Sequence, residues 1–327
     1  MNKYLKALSI ILSLILLFTI TSCNIISSTG TDITDISDKQ PEKTNPESDG
    51  NKYILEDITI PDYEVVTTEN VGVYVAAKVI PATVVITCNI NFSYSQNYFS
   101  FYGGTRKQTY TSSATSQATG MVINEDGYII TNAHVVCIEG SSSYPDFEYV
   151  NRDVYVNYAD SETQFPCTII TYNEDIDLCI LKMDITNIEN LQFVTYLKLT
   201  SPLSEDYKTN NNAVKLLYGE VAVAIGNANG YGISVTKGVV SAPVRQFTSS
   251  NKTTLAIQTD TAINSGNSGG PLCDQYGNVI GVNSFKIVTS TSEGLGYAIP
   301  SYVVLEYIDN YNKASNAGIK YYTTNTR

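Results

Sequence analysis

The sequence predicts an all-β fold with few helices, built of antiparallel barrels or a sandwich. Three observations point there. Short runs rich in Val and Ile recur along the chain with turn residues between them, the spacing that antiparallel strands need. Tyr is abundant, at 25 residues, and Trp is absent; aromatic rings suit a pleated, half-buried surface. Only two stretches carry a pattern suited to a helix.

The apolar pattern begins near residue 71. Residues 70–79 predict a short helix, stopped by Pro81, whose ring and missing N–H do not fit a helix interior. Residues 83–90 (TVVITCNI) read as the first strand. Residues 91–116 are polar, aromatic and Gly-containing, and predict a long surface loop. Residues 120–124 and 128–131 flank Glu125-Asp126-Gly127, a hairpin turn signal. Strands follow at 154–158, 167–172 and 178–182. The polar stretch 204–212 reads as the crossing between two halves. The second half holds strands at 221–225, 234–241, 255–259, 271–273 and 279–284, with Asp274-Gln275-Tyr276-Gly277-Asn278 as another hairpin turn. Residues 303–311 predict a closing helix.

At 327 residues the chain has room for one large domain or two small ones. Hydrophobic residues make up 43% and charged residues 16%, enough for a packed core over most of the length. A net charge of −12 disfavours nucleic-acid binding, because an acidic surface repels phosphate. The six cysteines are Cys23, Cys88, Cys137, Cys167, Cys179 and Cys273. They form no CxxC pair, and no His stands at ligand spacing from them, so no metal site is expected. Cys88 and Cys179 sit in apolar runs, and the cysteines of the folded part read as buried free thiols.

Residues 1–22 read as a signal peptide. Lys3 and Lys6 give a positive start, and the apolar run 7–20 is short for a membrane-spanning helix. An uncleaved anchor is the alternative. Ile20-Thr21-Ser22-Cys23 resembles a bacterial lipobox. That resemblance implies a lipidated Cys23 as the mature N-terminus, held at the outer face of a membrane. Residues 23–70 then form the lipidated Cys and a polar linker. Within it, residues 29–50 are rich in Ser, Thr, Asp, Pro and Gly. Such a segment cannot bury enough surface to offset its ordering entropy, and it reads as a flexible tether.

Three stretches carry residue types suited to nucleophilic chemistry. In Gly266-Asn267-Ser268-Gly269-Gly270-Pro271-Leu272, three glycines crowd one serine ahead of an apolar strand. Glycines allow backbone geometry that side chains forbid. A serine nucleophile needs such a turn, with Oγ clear and N–H groups facing the developing oxyanion. A Gly/Ser surface loop is the bland alternative. In Thr131-Asn132-Ala133-His134-Val135-Val136, His134 directly follows a strand. A serine hydroxyl needs a neutral base near pH 7, and His134 is the only histidine in the chain. A packed structural histidine is the alternative. In Glu174-Asp175-Ile176-Asp177-Leu178, Asp177 stands at the mouth of an apolar strand and suits the carboxylate that orients the base. Asp175 has the same side-chain parity and is the rival.

The order His, Asp, Ser in TNAHVV, DIDLCIL and GNSGGPL resembles the trypsin-like serine proteases, and more closely the HtrA/Deg family. GMVINEDGYIIT (120–131), GEVAVAIGN (219–227), VTKGVVSA (235–242), QTDTAIN (258–264) and GLGYAIP (294–300) agree, so the resemblance covers about residues 71–311. It implies two six-stranded antiparallel β-barrels, at about 71–200 and 213–302, with a short C-terminal helix and a tail at 312–327. His134 and Asp177 come from the first barrel and Ser268 from the second, across a cleft. In that picture Ser268 attacks a peptide carbonyl. His134 takes its proton and later gives it to the leaving amine, while Asp177 orients His134. Backbone N–H groups of Gly266 and Ser268, with Asn267 between them, form the oxyanion hole.

The resemblance also places a specificity pocket at Ala262, Ile263, Asn264 and Ser265 on one side and Asn283, Ser284 and Phe285 on the other. No carboxylate lies in 261–265, so cleavage after small or medium aliphatic residues is expected. No cofactor is implied. The implied partners are unfolded or mislocalised protein and peptide substrates at the cell surface, the membrane through Cys23, and further copies in a homotrimer. A catalytically silent binding or chaperone protein on the same fold is the competing reading. The chain departs from the family in two places. The tail after Tyr311 is too short for the PDZ domain that the family usually carries, so a PDZ-less protein is expected. Ser265 stands where many relatives have a larger or charged residue.

Overall fold

The structure, a computed structural model, describes residues 53–54, 67, 69–99, 104–138, 146–158, 161–210, 212–249, 252–284 and 294–325. The signal peptide, the lipobox with Cys23, and most of the linker lie outside these residues, as does Phe285. In chain order the first half holds β1 (Tyr53–Ile54), α1 (Val71–Val79), β2 (Thr83–Phe99), β3 (Thr105–Val122), β4 (Tyr128–Thr131), β5 (Glu148–Tyr158), β6 (Phe165–Asn173) and β7 (Leu178–Met183). Then come β8 (Ile188–Glu189), β9 (Thr195–Leu197), α2 (Glu205–Thr209), β10 (Val221–Gly226), β11 (Ser234–Ser249), β12 (Lys252–Thr259), β13 (Pro271–Cys273), β14 (Val279–Asn283), β15 (Gly296–Pro300), α3 (Ser301–Ser315) and β16 (Tyr322–Thr324).

The strands close into two six-stranded antiparallel barrels, as the resemblance implies. The first runs β2-β3-β4-β7-β6-β5. The second runs β10-β11-β12-β15-β14, and β13 closes it by pairing with both β14 and β10. Closure removes open sheet edges and lets inward side chains fill the interior. Val84, Ile86, Val156, Ile129 and Leu181 fill the first barrel. Leu197, Ala224, Val240, Ile257 and Ile280 fill the second.

A third apolar cluster joins the barrels. Val71, Val75 and Val79 recur every fourth residue and bury one stripe of α1. They pack in one cluster with Met121, Ile130 and Ile180 of the first barrel and Val223, Val282 and Ile299 of the second. Val304, Leu305 and Ile308 of α3 belong to the same cluster. At roughly 1.5–3 kcal/mol for each large aliphatic side chain removed from water, this cluster fixes the relative position of the barrels. The cleft between them therefore has fixed geometry.

Both expected helices are present, with α3 longer than the sequence signal at 303–311. It ends at Asn316, whose φ of 57° is a left-handed cap. The chain then returns to the second barrel, where β16 pairs in parallel with β9. In the stretch expected as linker, Tyr53–Ile54 pairs in parallel with Ile188–Glu189.

One expectation is overturned. Most of the stretch 91–116, expected as a surface loop, is the outer part of a long β2–β3 hairpin, in register from Thr83↔Met121 to Phe99↔Thr105. The reason is exposure. The outer β3 residues are solvent-facing on both sides, so no apolar alternation marks them. Thr, Ser and Tyr still favour extended backbone there; Phe92 stacks on Tyr94 along β2, and Tyr94 stacks on its cross-strand partner Tyr110.

Candidate active site

His134 sits in a 3-10 turn, Ala133–Val135, just after β4. Ala133 and Val135 are buried and turn the imidazole between them outward. Asp177 precedes β7 in the left-handed region at φ 56°. Because β4 and β7 pair through Thr131↔Cys179, the two side chains meet at one end of the barrel. Asn132 Nδ2 donates to the Asp177 carbonyl at 2.8 Å and locks the two segments together.

The Asp177 carboxylate is nearly saturated. Oδ1 accepts from the His134 backbone N–H at 3.1 Å and from Nδ1 at 2.9 Å. Oδ2 lies 3.0 Å from Nδ1 and accepts from Ser284 Oγ at 2.9 Å. Burial alone would raise the Asp177 pKa, but the hydrogen bonds and charge of His134, with the Ser284 hydroxyl, outweigh it and hold the carboxyl below its ordinary value. An ionised carboxylate only accepts hydrogen bonds. The proton on a neutral His134 is therefore at Nδ1, and the lone pair is at Nε2. Asp175, the rival carboxylate, stays exposed in the turn.

The Ser268 turn lies against the same end of β3 and β4. Gly269 has φ +84°, and a side chain there would collide with the Thr119 carbonyl and with Thr131 at the end of β4. Gly266 has φ +93°, and a side chain there would meet the Asn227 carbonyl. Both positions require glycine. The Ser268 carbonyl accepts from Thr119 N–H at 2.9 Å, and Gly269 N–H donates to the Asn283 carbonyl at 2.9 Å.

Two peptides set the direction of the candidate oxyanion donors. The Ser265 carbonyl accepts from Asn229 N–H at 2.7 Å, and the Asn267 carbonyl accepts from Gly270 N–H at 3.0 Å. In a trans peptide the N–H points opposite to the C=O. The N–H groups of Gly266 and Ser268 are thus turned away from those carbonyl contacts. Asn267 itself is buried, with Nδ2 donating to the Ala262 carbonyl at 3.3 Å.

The residues expected in the specificity pocket divide. Ala262 and Asn264 are exposed and Ser265 is half-buried. Ile263 packs into the second barrel. Asn283 is buried and donates from Nδ2 to the Pro271 carbonyl, and the Ser284 hydroxyl is committed to Asp177. Asp260, a neighbouring carboxylate, accepts from Val239 N–H at 2.6 Å. Sequence reasoning missed the link from Ser284 to Asp177, and nothing in the local sequence marks it. Among the described residues no cluster of His, Cys, Asp and Glu is suited to a metal.

A double barrel with a His hydrogen-bonded to a buried Asp carboxylate on one half and a Gly-rich serine turn on the other defines a class of serine hydrolase. The model of the trypsin-like peptidase domain matches residues 118–282, and the chain belongs to that family. It is 35% identical over 194 residues to a probable periplasmic serine endoprotease, DegP-like, of Chlamydia pneumoniae, covering 59% of this chain and 34% of that protein. It is 33% identical over 259 residues to the serine protease Do-like HtrA of Lactococcus lactis, covering 73% of this chain and 56% of that protein. The chain thus spans between a third and just over half of these relatives. Among solved structures it is similar to the HtrA-type protease AlgW with a decapeptide, at 26% identity and a TM-score of 0.51, covering 74% of this chain and 67% of that one.

Proposed function

We propose that this chain is a serine endopeptidase in which His134, Asp177 and Ser268 act as a triad. The observation that carries the reading is the pairing of His134 Nδ1 with the buried Asp177 carboxylate at 2.9 Å. It leaves Nε2 as the base, beside a glycine turn built around one serine. In the reaction Ser268 Oγ bonds to the scissile carbonyl carbon while His134 Nε2 takes its proton. The N–H groups of Gly266 and Ser268 receive the oxyanion. The imidazolium, stabilised by Asp177, then protonates the leaving amine. Water repeats the sequence on the acyl-enzyme and releases Ser268.

The substrates are unfolded or mislocalised proteins outside the cytoplasmic membrane. The DegP-like relatives, named as periplasmic endoproteases, support export, and the Ile20-Thr21-Ser22-Cys23 motif supports attachment through a lipid on Cys23. Digestion of a model protein, native and denatured, with mass-spectrometric mapping of the cuts tests the reading. Cleavage of the denatured form after Val, Ala or Ile is expected. No cleavage of either form would overturn it in favour of the silent binding protein.

A further inference from the structure

We propose that Thr119, a first-barrel residue outside the triad, is a positioning residue that holds the oxyanion loop of the second barrel in its working conformation. This rests on the peptidase reading of the site. Thr119 lies near the end of β3 and is fully buried. Its hydroxyl makes two directional bonds to two different segments. Oγ1 donates to the Gly266 carbonyl at 2.7 Å. It accepts from the Asn227 N–H at 2.8 Å. The single proton and one lone pair of the hydroxyl are both used.

The two segments it bridges are the ones that aim the Gly266 N–H. Asn227 opens the turn Ala228–Gly230, whose Asn229 N–H holds the Ser265 carbonyl at 2.7 Å. Reversal of the peptide between Ser265 and Gly266 would put a carbonyl where the donor belongs, and this bond opposes it. The Thr119 hydroxyl clamps the segment that offers the bond and the glycine on the other side of the peptide. The Thr119 backbone adds a third tie, its N–H donating to the Ser268 carbonyl at 2.9 Å.

The surrounding backbone is shaped to admit this side chain. A Cβ on Gly270 would stand 2.9 Å from Thr119 Cγ2, and one on Gly226 would stand 3.0 Å from Oγ1. Glycines at both positions thus make room for Cγ2 and Oγ1, and a larger residue at either would crowd Thr119. Thr131 Oγ1 donates to the Thr119 carbonyl at 2.8 Å and ties the same residue to the strand that precedes His134. One residue, through its backbone carbonyl and its hydroxyl, therefore links the base-bearing strand to the oxyanion turn across the cleft.

The test compares wild type, Thr119→Val and Thr119→Ser on a peptide substrate and on a peptidyl boronic acid, whose tetrahedral adduct fills the oxyanion site. Direct loss of an oxyanion donor costs about 10²–10³ in kcat. Loss of its support is expected to lower kcat about 10- to 100-fold with KM little changed, and to weaken the boronate by a similar factor. Thr119→Ser restores both. If Thr119→Val does not fold, Thr119→Ala removes the hydroxyl without crowding and carries the same comparison. A folded hydroxyl-free variant with wild-type kcat and boronate affinity would overturn the inference while leaving the peptidase reading intact. A folded wild type that neither cleaves nor binds the boronate would overturn that reading and this inference with it.

Discussion

Ser284 Oγ, from the second barrel, donates a hydrogen bond of 2.9 Å to Asp177 Oδ2, on the first. Both groups are buried, and a hydrogen bond to a buried charge is worth about 1.5–3 kcal/mol. The Asp–His pair is therefore completed only when the barrels are docked. Ser284→Ala is expected to lose stability within that range at neutral pH, as read from urea unfolding, and to lower kcat without changing KM. Unchanged stability and kcat would show that Asp177 does not depend on this donor.

Asp177 carries a pH signature. Its pKa is lowered in the folded state, against burial, by His134 and Ser284. A carboxyl with a lowered native pKa contributes stability that is fully present above its ordinary value of about 3.9 and is lost as pH falls through the native value. Asp177→Asn should flatten the acid limb of a stability-versus-pH curve below about pH 4. It should also cut kcat about 10⁴-fold, because the amide favours the wrong imidazole tautomer. Parallel acid limbs for wild type and variant would contradict the assignment.

The thiols are expected to be inert. Cys88, Cys137, Cys179 and Cys273 are buried thiols outside any disulfide. Burial pushes the Cys88 and Cys167 thiols up to about 12 and raises Cys179 as well. Only the thiolate is nucleophilic. Iodoacetamide at neutral pH should leave these five unmodified in the native protein and label all of them after denaturation. Rapid native labelling of Cys88 or Cys179 would contradict the packing of the first barrel.

The outer hairpin is expected to be dispensable for folding. Beyond Ser95↔Thr109 the β2–β3 ladder leads to an exposed end, where Lys107 pairs with Asp146 across the surface. Between exposed side chains such an ion pair contributes little, because solvent and salt screen it. Replacing residues 96–108 with an Asn-Gly turn should leave circular dichroism intact and shift Tm by only a few degrees. Failure of that variant to fold would show that the ribbon supports the barrel.

The sequence was legible where periodicity or chemistry left a local mark. Buried strands such as β7, with Leu178, Cys179, Ile180 and Leu181 in a row, were visible as apolar runs. The helix at Val71–Val79 was visible as an apolar stretch stopped by Pro81. His134, Asp177 and Ser268 stood out because their motifs concentrate unusual residues. The hairpin was missed because an exposed ribbon has no inside face and so no alternation. Ser284 and Thr119 were illegible as partners of the site because their roles depend on contacts between barrels. The hydroxyl of Ser284 reaches Asp177 across 107 positions, and that of Thr119 reaches Gly266 across 147. No local pattern records such contacts.

The central claim is that Ser268 is a nucleophile activated by His134. Its most direct test is reaction of the intact protein with a fluorophosphonate, followed by peptide mapping of the adduct. Only an activated serine bonds to phosphorus and expels fluoride. One adduct per chain, on Ser268, is expected, with none in Ser268→Ala and a loss of rate of several orders of magnitude in His134→Ala. A folded wild-type protein that stays unmodified, or an adduct on another residue that persists in Ser268→Ala, would contradict the account.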